Sequence, residues 1–200
     1  MSKATVSSIQ ATGAEGARVF FAGLGNPGKE YENTYHNVGR LALAALMKAF
    51  EARRGRTPGA RRVSRTQLAG AACTKDGDLV WIEPKTFMNE SGAAVREALA
   101  FFDGSPSELV VLHDDADLPL GSHKITTGQR DAGHRGVRSV IRELGTRTFA
   151  RVRIGVGREP REKAEEYVLS KIARADLTKL TQTFAEIANY FMGEREGGAR

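Results

Sequence analysis

The chain has a single cysteine in 200 residues, which excludes an internal disulfide framework and suits a reducing, cytoplasmic setting. Cys73 stands in an apolar, strand-like run and reads as packing rather than as a nucleophile. No apolar stretch is long enough to span a membrane. The first 17 residues lack the basic start and apolar centre of a signal peptide, and their small, polar composition predicts a flexible tail. There is no internal repeat and no second linker, so residues 18–193 are expected to form one domain, with a frayed tail at 194–200. A G-x-S-x-G elbow is also missing, which argues against a serine nucleophile. Anionic charge is in deficit: 30 Lys and Arg face 24 Asp and Glu, for a net charge of +6. That balance favours an anionic partner, nucleic acid first, although a merely soluble basic protein would show it too.

What the chain does contain is concentrated between Phe20 and Arg40, FFAGLGNPGKEYENTYHNVGR. An apolar strand enters a glycine-dense turn, and a polar loop with Asn26, Tyr31, Asn33, His36 and Asn37 leads into a helical apolar period from Val38. GLGNPG fits G-x-G-x-x-G, but a dinucleotide site needs a helix at the last glycine and an acid about 20 residues on. The helix here waits until about Asn37, and that distance from Gly28 falls on Lys48. The glycines therefore read as turn residues that let backbone approach a ligand, and no cofactor is expected.

Strands and helices alternate along the rest. Helical spacing predicts a helix over Asn37–Ala52, followed by a loop with Arg53, Arg54, Arg56, Arg61, Arg62 and Arg65. Gln67–Thr74 and Leu79–Glu83 read as strands joined by the hairpin turn KDGD. PKTFMNESG then opens a helix that Asn89 or Ser91 could cap. Leu109–Leu112 is a buried strand delivering the polar turn HDDADLP, and a further strand is expected near Ser122–Thr127. A helix over Gly136–Leu144 carries a stripe of Arg135, Arg138 and Arg142. A strand covers Phe149–Val156, and helices are expected over Glu162–Ile172 and along the apolar face Leu177 to Phe191. The pattern predicts a three-layer α/β/α domain with a mixed, mostly parallel sheet.

Three polar loops follow three apolar strands, carrying His36, Met88-Asn89 and Asp114. If those strands are neighbours, a histidine, a carboxylate and several amides converge. That set suits acyl transfer to water: the histidine takes a proton, the carboxylate fixes its tautomer, and amide N–H groups stabilise the oxyanion. Singly, each residue has a duller reading as a turn, a cap or a satisfied polar group. His113 with Asp114, Asp115 and Asp117 could suggest a metal cluster, but adjacent strand residues point to opposite faces, so no metal site is expected.

GLGNPG-x-x-Y-x-x-T-x-HNVG (Gly23 to Gly39) resembles the opening signature of the bacterial-type peptidyl-tRNA hydrolases. PKTFMNESG, HDDADLPLG, AGHRGVRSV and RVRIGVGREP resemble the family's later motifs in the same order, over about Arg18 to Met192. The resemblance implies a monomeric, cofactor-free α/β esterase that cuts the ester between peptide and tRNA in the cytoplasm. It implies His36 as general base and Asp114 as its orienting carboxylate. Asn26, Met88 and Asn89 would hold the peptide end, Tyr31 would line the site, and Lys124 and Arg153 would meet phosphate. One departure stands out: Arg135 occupies the place of an asparagine that contributes to the substrate site. A catalytically silent RNA-binding relative is the alternative reading, but it need not keep the His36–Asp114 pair.

Overall fold

A computed structural model gives the fold, and it describes residues 18–54, 63–158 and 167–193. Its centre is strand β1 (Val19–Gly23), buried along its whole length. A strand covered on both faces must be apolar throughout, and VFFAG is. Its alternate residues feed two cores. Val19 and Phe21 join one, Phe20 and Ala22 the other. Phe21 stacks on Trp81 at 4.8 Å and meets Phe191 edge-on at 5.0 Å. Phe21→Ala would cost about 3–5 kcal/mol, the usual penalty for emptying such a site.

Seven strands form one sheet in the order β2-β3-β4-β1-β5-β7-β6. They are β2 (Val63–Gln67), β3 (Ala71–Asp76), β4 (Leu79–Pro84), β5 (Leu109–Pro119), β6 (His123–Thr127) and β7 (Ala150–Gly157), besides β1. Pairings β4-β1, β1-β5 and β5-β7 are parallel; β2-β3, β3-β4 and β6-β7 are antiparallel. Helices α1 (Val38–Arg54) and α4 (Arg174–Phe191) cover the Phe21 face. Helices α2 (Ser91–Phe101) and α3 (Arg135–Leu144) cover the Phe20 face. The expected three-layer α/β domain with a mixed sheet is what forms.

Several local expectations need correction. Gln67–Thr74 is not one strand: the chain turns at residues 68–70 between β2 and β3, where Gly70 and Ala69 donate N–H groups to Glu97. The KDGD hairpin does form, with Asp76 opposite Leu79 and Gly77 at φ 63°. HDDADLP is not a loop after a short strand but the second half of β5. Pairing with β7 holds it extended through Asp115, and a register shift then carries it to Pro119. Neither Asn89 nor Ser91 caps α2: its N-cap is Glu90, with no side-chain bond. Of the helix expected over 162–172, residues 162–166 lie outside the described residues. Tyr167 is helical, and beyond it the chain leaves the helix in a turn, Ser170 N–H to the Tyr167 carbonyl, and a bridge from Lys171 to Thr34. The tails at 1–17 and 194–200, and Arg56, Arg61 and Arg62, also lie outside the described residues.

Candidate active site

Strands β4, β1 and β5 are neighbours and parallel, so the segments leaving their carboxyl ends share one edge of the sheet. Ligands bind at such edges in open α/β sheets. A cavity of about 490 Å³ opens there, and Asn26, Tyr31, His36, Met88, Asn89, Asp114 and Arg135 all line it. The convergence expected from the sequence is therefore real. Gly39 makes it close: a Cβ there would lie 2.3 Å from the Leu112 carbonyl, so only glycine lets the start of α1 rest on β5.

His36 sits in a short 3-10 turn (Tyr35–Asn37) just before α1. Its backbone N–H donates to the Val168 carbonyl at 2.7 Å, and Tyr35 and Ile172 extend this pairing. Its Nδ1 lies 3.0 Å from both carboxylate oxygens of Asp114. Asp114, 4% exposed, shares the sheet face of Val110 and Leu112, which turns it toward His36. It also receives a second histidine: His134 Nε2 is 2.9 Å from Oδ1. The His134 tautomer is fixed by its other nitrogen. Nδ1 accepts the N–H groups of Gly136 and Val137 at 3.1 and 3.2 Å and so caps α3. Nε2 therefore carries the proton given to Asp114. The same carboxylate takes the Nδ1–H of His36, leaving the His36 Nε2 lone pair open to the cavity.

Burial disfavours the charged imidazolium of His36, the Asp114 carboxylate favours it through charge and hydrogen bond, and Arg135 disfavours it again. The net proton affinity is above that of an ordinary histidine, 6.5. Burial raises the Asp114 carboxyl, but His134 and His36 outweigh it, and the group lies far below the usual carboxylate range. His113, on the adjoining position of β5, is held neutral by burial and by His134. Its Nδ1 is 2.7 Å from the Asp114 carbonyl, and its Nε2 has no partner.

The amide wall is equally ordered. Asn37 both accepts the Asn26 N–H at 2.8 Å and donates to the Asn26 carbonyl at 2.9 Å. Asn26 Oδ1 in turn accepts the Met88 N–H at 2.8 Å. What remains of Asn26 is its Nδ2 donor pair, and the residue lines the cavity. Met88 is buried, close to the start of α3: a Cβ on Gly136 would lie 2.4 Å from its sulfur. Asn89 is exposed. Tyr31 meets Phe87 edge-on at 6.3 Å, and Phe87 and Leu169 form exposed apolar lips.

Lys124 and Arg153 are not in the cavity. They face each other across the β6-β7 ladder. Lys124 is exposed, with no partner among the described residues, whereas Arg153 Nε donates to Asp115 at 2.6 Å and Nη1 reaches Gln129 at 3.3 Å. Arg151, two residues away, is buried and holds the carbonyls of Gln129 and Arg130.

A model of the peptidyl-tRNA hydrolase family matches residues 20–195. The chain belongs to that family. It is 46% identical to a peptidyl-tRNA hydrolase of Sorangium cellulosum over 151 residues, 74% of this chain and 65% of that one. It is 37% identical to the Aquifex aeolicus enzyme of that name over 171 residues, 85% and 86% of the two chains. Its fold matches the crystal structure of peptidyl-tRNA hydrolase from Acinetobacter baumannii with a TM-score of 0.75 at 24% identity, covering 88% and 87%.

Within this member of the family, His134 is the site residue that sequence reasoning missed. It was visible only as one letter of a motif. Its place directly before the apolar period of Val137 and Val140 marks an N-cap, but histidine is not a preferred cap, and its bond to Asp114 crosses 20 residues. His36, Asp114 and His134 also bring three donor atoms within 4.8 Å of one another, a spacing a cation could use. The fit is poor, because two of those atoms are ring N–H groups already pointing at the third. His113 and the aspartates beside it in sequence do not assemble into a metal cluster: Asp115 turns to Arg153 and His113 to a backbone carbonyl.

Proposed function

We propose that this member of the peptidyl-tRNA hydrolase family hydrolyses the ester joining peptide to tRNA by attack of a water that His36 activates. The observation that carries the reading is the Nδ1–Asp114 contact, which leaves His36 Nε2 as an acceptor inside the cavity. Nε2 takes a proton as the water oxygen bonds to the ester carbonyl carbon. Asp114 keeps the tautomer and stabilises the imidazolium, without itself taking the proton. The carbonyl oxygen becomes an oxyanion, toward which the Asn26 Nδ2 donors are directed. When the intermediate collapses, the bond to the ribose oxygen breaks and the imidazolium returns its proton to that oxygen. The products are tRNA with a free hydroxyl and the peptide carboxylic acid.

Met88 and Asn89 border the peptide, and Tyr31 with Phe87 the end of the tRNA. Lys124 meets phosphate beyond the cavity, and Arg153 joins it through Nη2, the nitrogen that Asp115 and Gln129 leave free. We read the protein as a cytoplasmic monomer; the lone buried Cys73, its thiol raised by burial to about 11, suits the reducing compartment. Among the described residues no helix is long and apolar enough to cross a membrane. A silent RNA-binding relative is disfavoured by the completed His36–Asp114 pair. The test is release of free tRNA from N-acetyl-aminoacyl-tRNA by the wild type and by His36→Ala. Binding without release in the wild type would establish the silent reading.

A further inference from the structure

Four carboxylates line the cavity, those of Asp114, Asp115, Asp117 and Asp131, and Arg135 is its one Lys or Arg side chain among the described residues. A polyanionic substrate must enter against that charge. Three of the carboxylates are already engaged: Asp114 by two histidines, Asp115 by Arg153, Asp131 by Gly133 N–H and Arg138. Arg135 is not engaged. It is exposed, and its guanidinium makes no hydrogen bond or ion pair among the described residues. The N–H groups of Gly136 and Val137 behind it are taken by His134, so the guanidinium, rather than the helix terminus, is the available donor.

A guanidinium offers five donors in a planar fork and no acceptor, a shape that matches two oxygens of a phosphate better than one peptide carbonyl. The ester of a peptidyl-tRNA lies on the terminal ribose, and the 5′ oxygen of that ribose carries the last phosphodiester. A phosphate with two free oxygens therefore lies one sugar away from the reacting carbonyl in every substrate molecule. We propose that Arg135 is a specificity-determining residue that grips the terminal phosphodiester of the substrate. This rests on the esterase reading above. The position that the family resemblance places in the substrate site would here read the nucleic acid, and Arg138 and Arg142 continue its line along α3.

Three substrates separate the possibilities: an N-acetyl-aminoacyl ester of adenosine, the same ester of adenosine 5′-monophosphate, and N-acetyl-aminoacyl-tRNA. Wild type, Arg135→Asn and Arg135→Lys are compared by kcat/KM. The expected result is that Arg135→Asn loses about 10-fold to 100-fold more on the two phosphate-bearing substrates than on the adenosine ester, the usual range for one charge-assisted contact. Arg135→Lys should recover part of that difference. A loss confined to the tRNA would place the contact on a more distant phosphate and overturn the assignment. An equal loss on all three would return the residue to the peptide and overturn it as well. Failure of the wild type to cleave any of the three would overturn the esterase reading itself.

Discussion

On the β5 side of the cavity, Asp114 is buried and accepts N–H groups from two histidines, one of them locked by the start of a helix. On the α3 side, one residue beyond that helix cap, Arg135 is exposed and unpaired among the described residues. At Asp114 the wall is finished by the protein's own groups, whereas the Arg135 guanidinium has no partner among the described residues. The difference follows from dielectric environment. A buried charge without partners is costly, so the interior must satisfy its own groups. A solvated guanidinium costs little and remains free to bind. Lys124 and Arg153 repeat the contrast on a smaller scale. They are ladder partners, yet one is exposed and the other is tied to a buried aspartate.

The largest effect should come from breaking the finished wall. His36→Ala should lower turnover by about 10²-fold to 10⁴-fold, with tRNA affinity little changed, measured as released tRNA under saturating substrate. Near-normal turnover would remove His36 from the mechanism. Asp114→Asn should also lower turnover severely. Its neutral carbonyl oxygen accepts more weakly than a carboxylate from the two histidines that meet at Oδ1, and its NH₂ group can favour the wrong His36 tautomer. Full activity in that variant would show that the pair is structural.

A subtler break concerns pH. The base must be neutral to act, and its proton affinity is raised, so the acid limb of the rate profile should lie above 6.5, with turnover falling as pH drops through it. Against the effect of burial, the charges that set this direction come from β5 (Asp114, raising it) and α3 (Arg135, lowering it). Removing the favourable carboxylate in Asp114→Asn should move the limb down. Removing the opposing cation in Arg135→Asn should move it up. A limb that both variants leave in place would assign it to another group.

The ladder pair gives the smallest effects and separates stability from binding. Arg153→Ala strands Asp115 in a buried position and should cost about 2–3 kcal/mol in thermal or denaturant unfolding. Lys124→Ala should leave unfolding unchanged, but should weaken tRNA binding and reduce its salt slope by about one phosphate contact. Equal unfolding penalties for the two would erase the distinction drawn from their partners.

Periodicity by itself determined the layer architecture of this protein. Burial on one face or two is written into residue order, as in VFFAG and the apolar face of α4. The ordered motifs also determined the family, and they nominated His36, Asn26, Met88, Asn89 and Asp114, which do meet. Only the tertiary structure decided which groups are spent and which are free. That HDDADLP stays a strand depends on β7 arriving beside it from about 40 residues away. That His134 shares Asp114 with His36 depends on where α3 begins above the sheet. That Arg153 is paired while Arg135 is open depends on which side chains the fold brings within about 3 Å, the reach of a hydrogen bond. Local sequence sets conformation through short-range sterics and hydrophobic spacing. Pairing of charges is a matter of long-range contacts, and those exist only once the layers have closed.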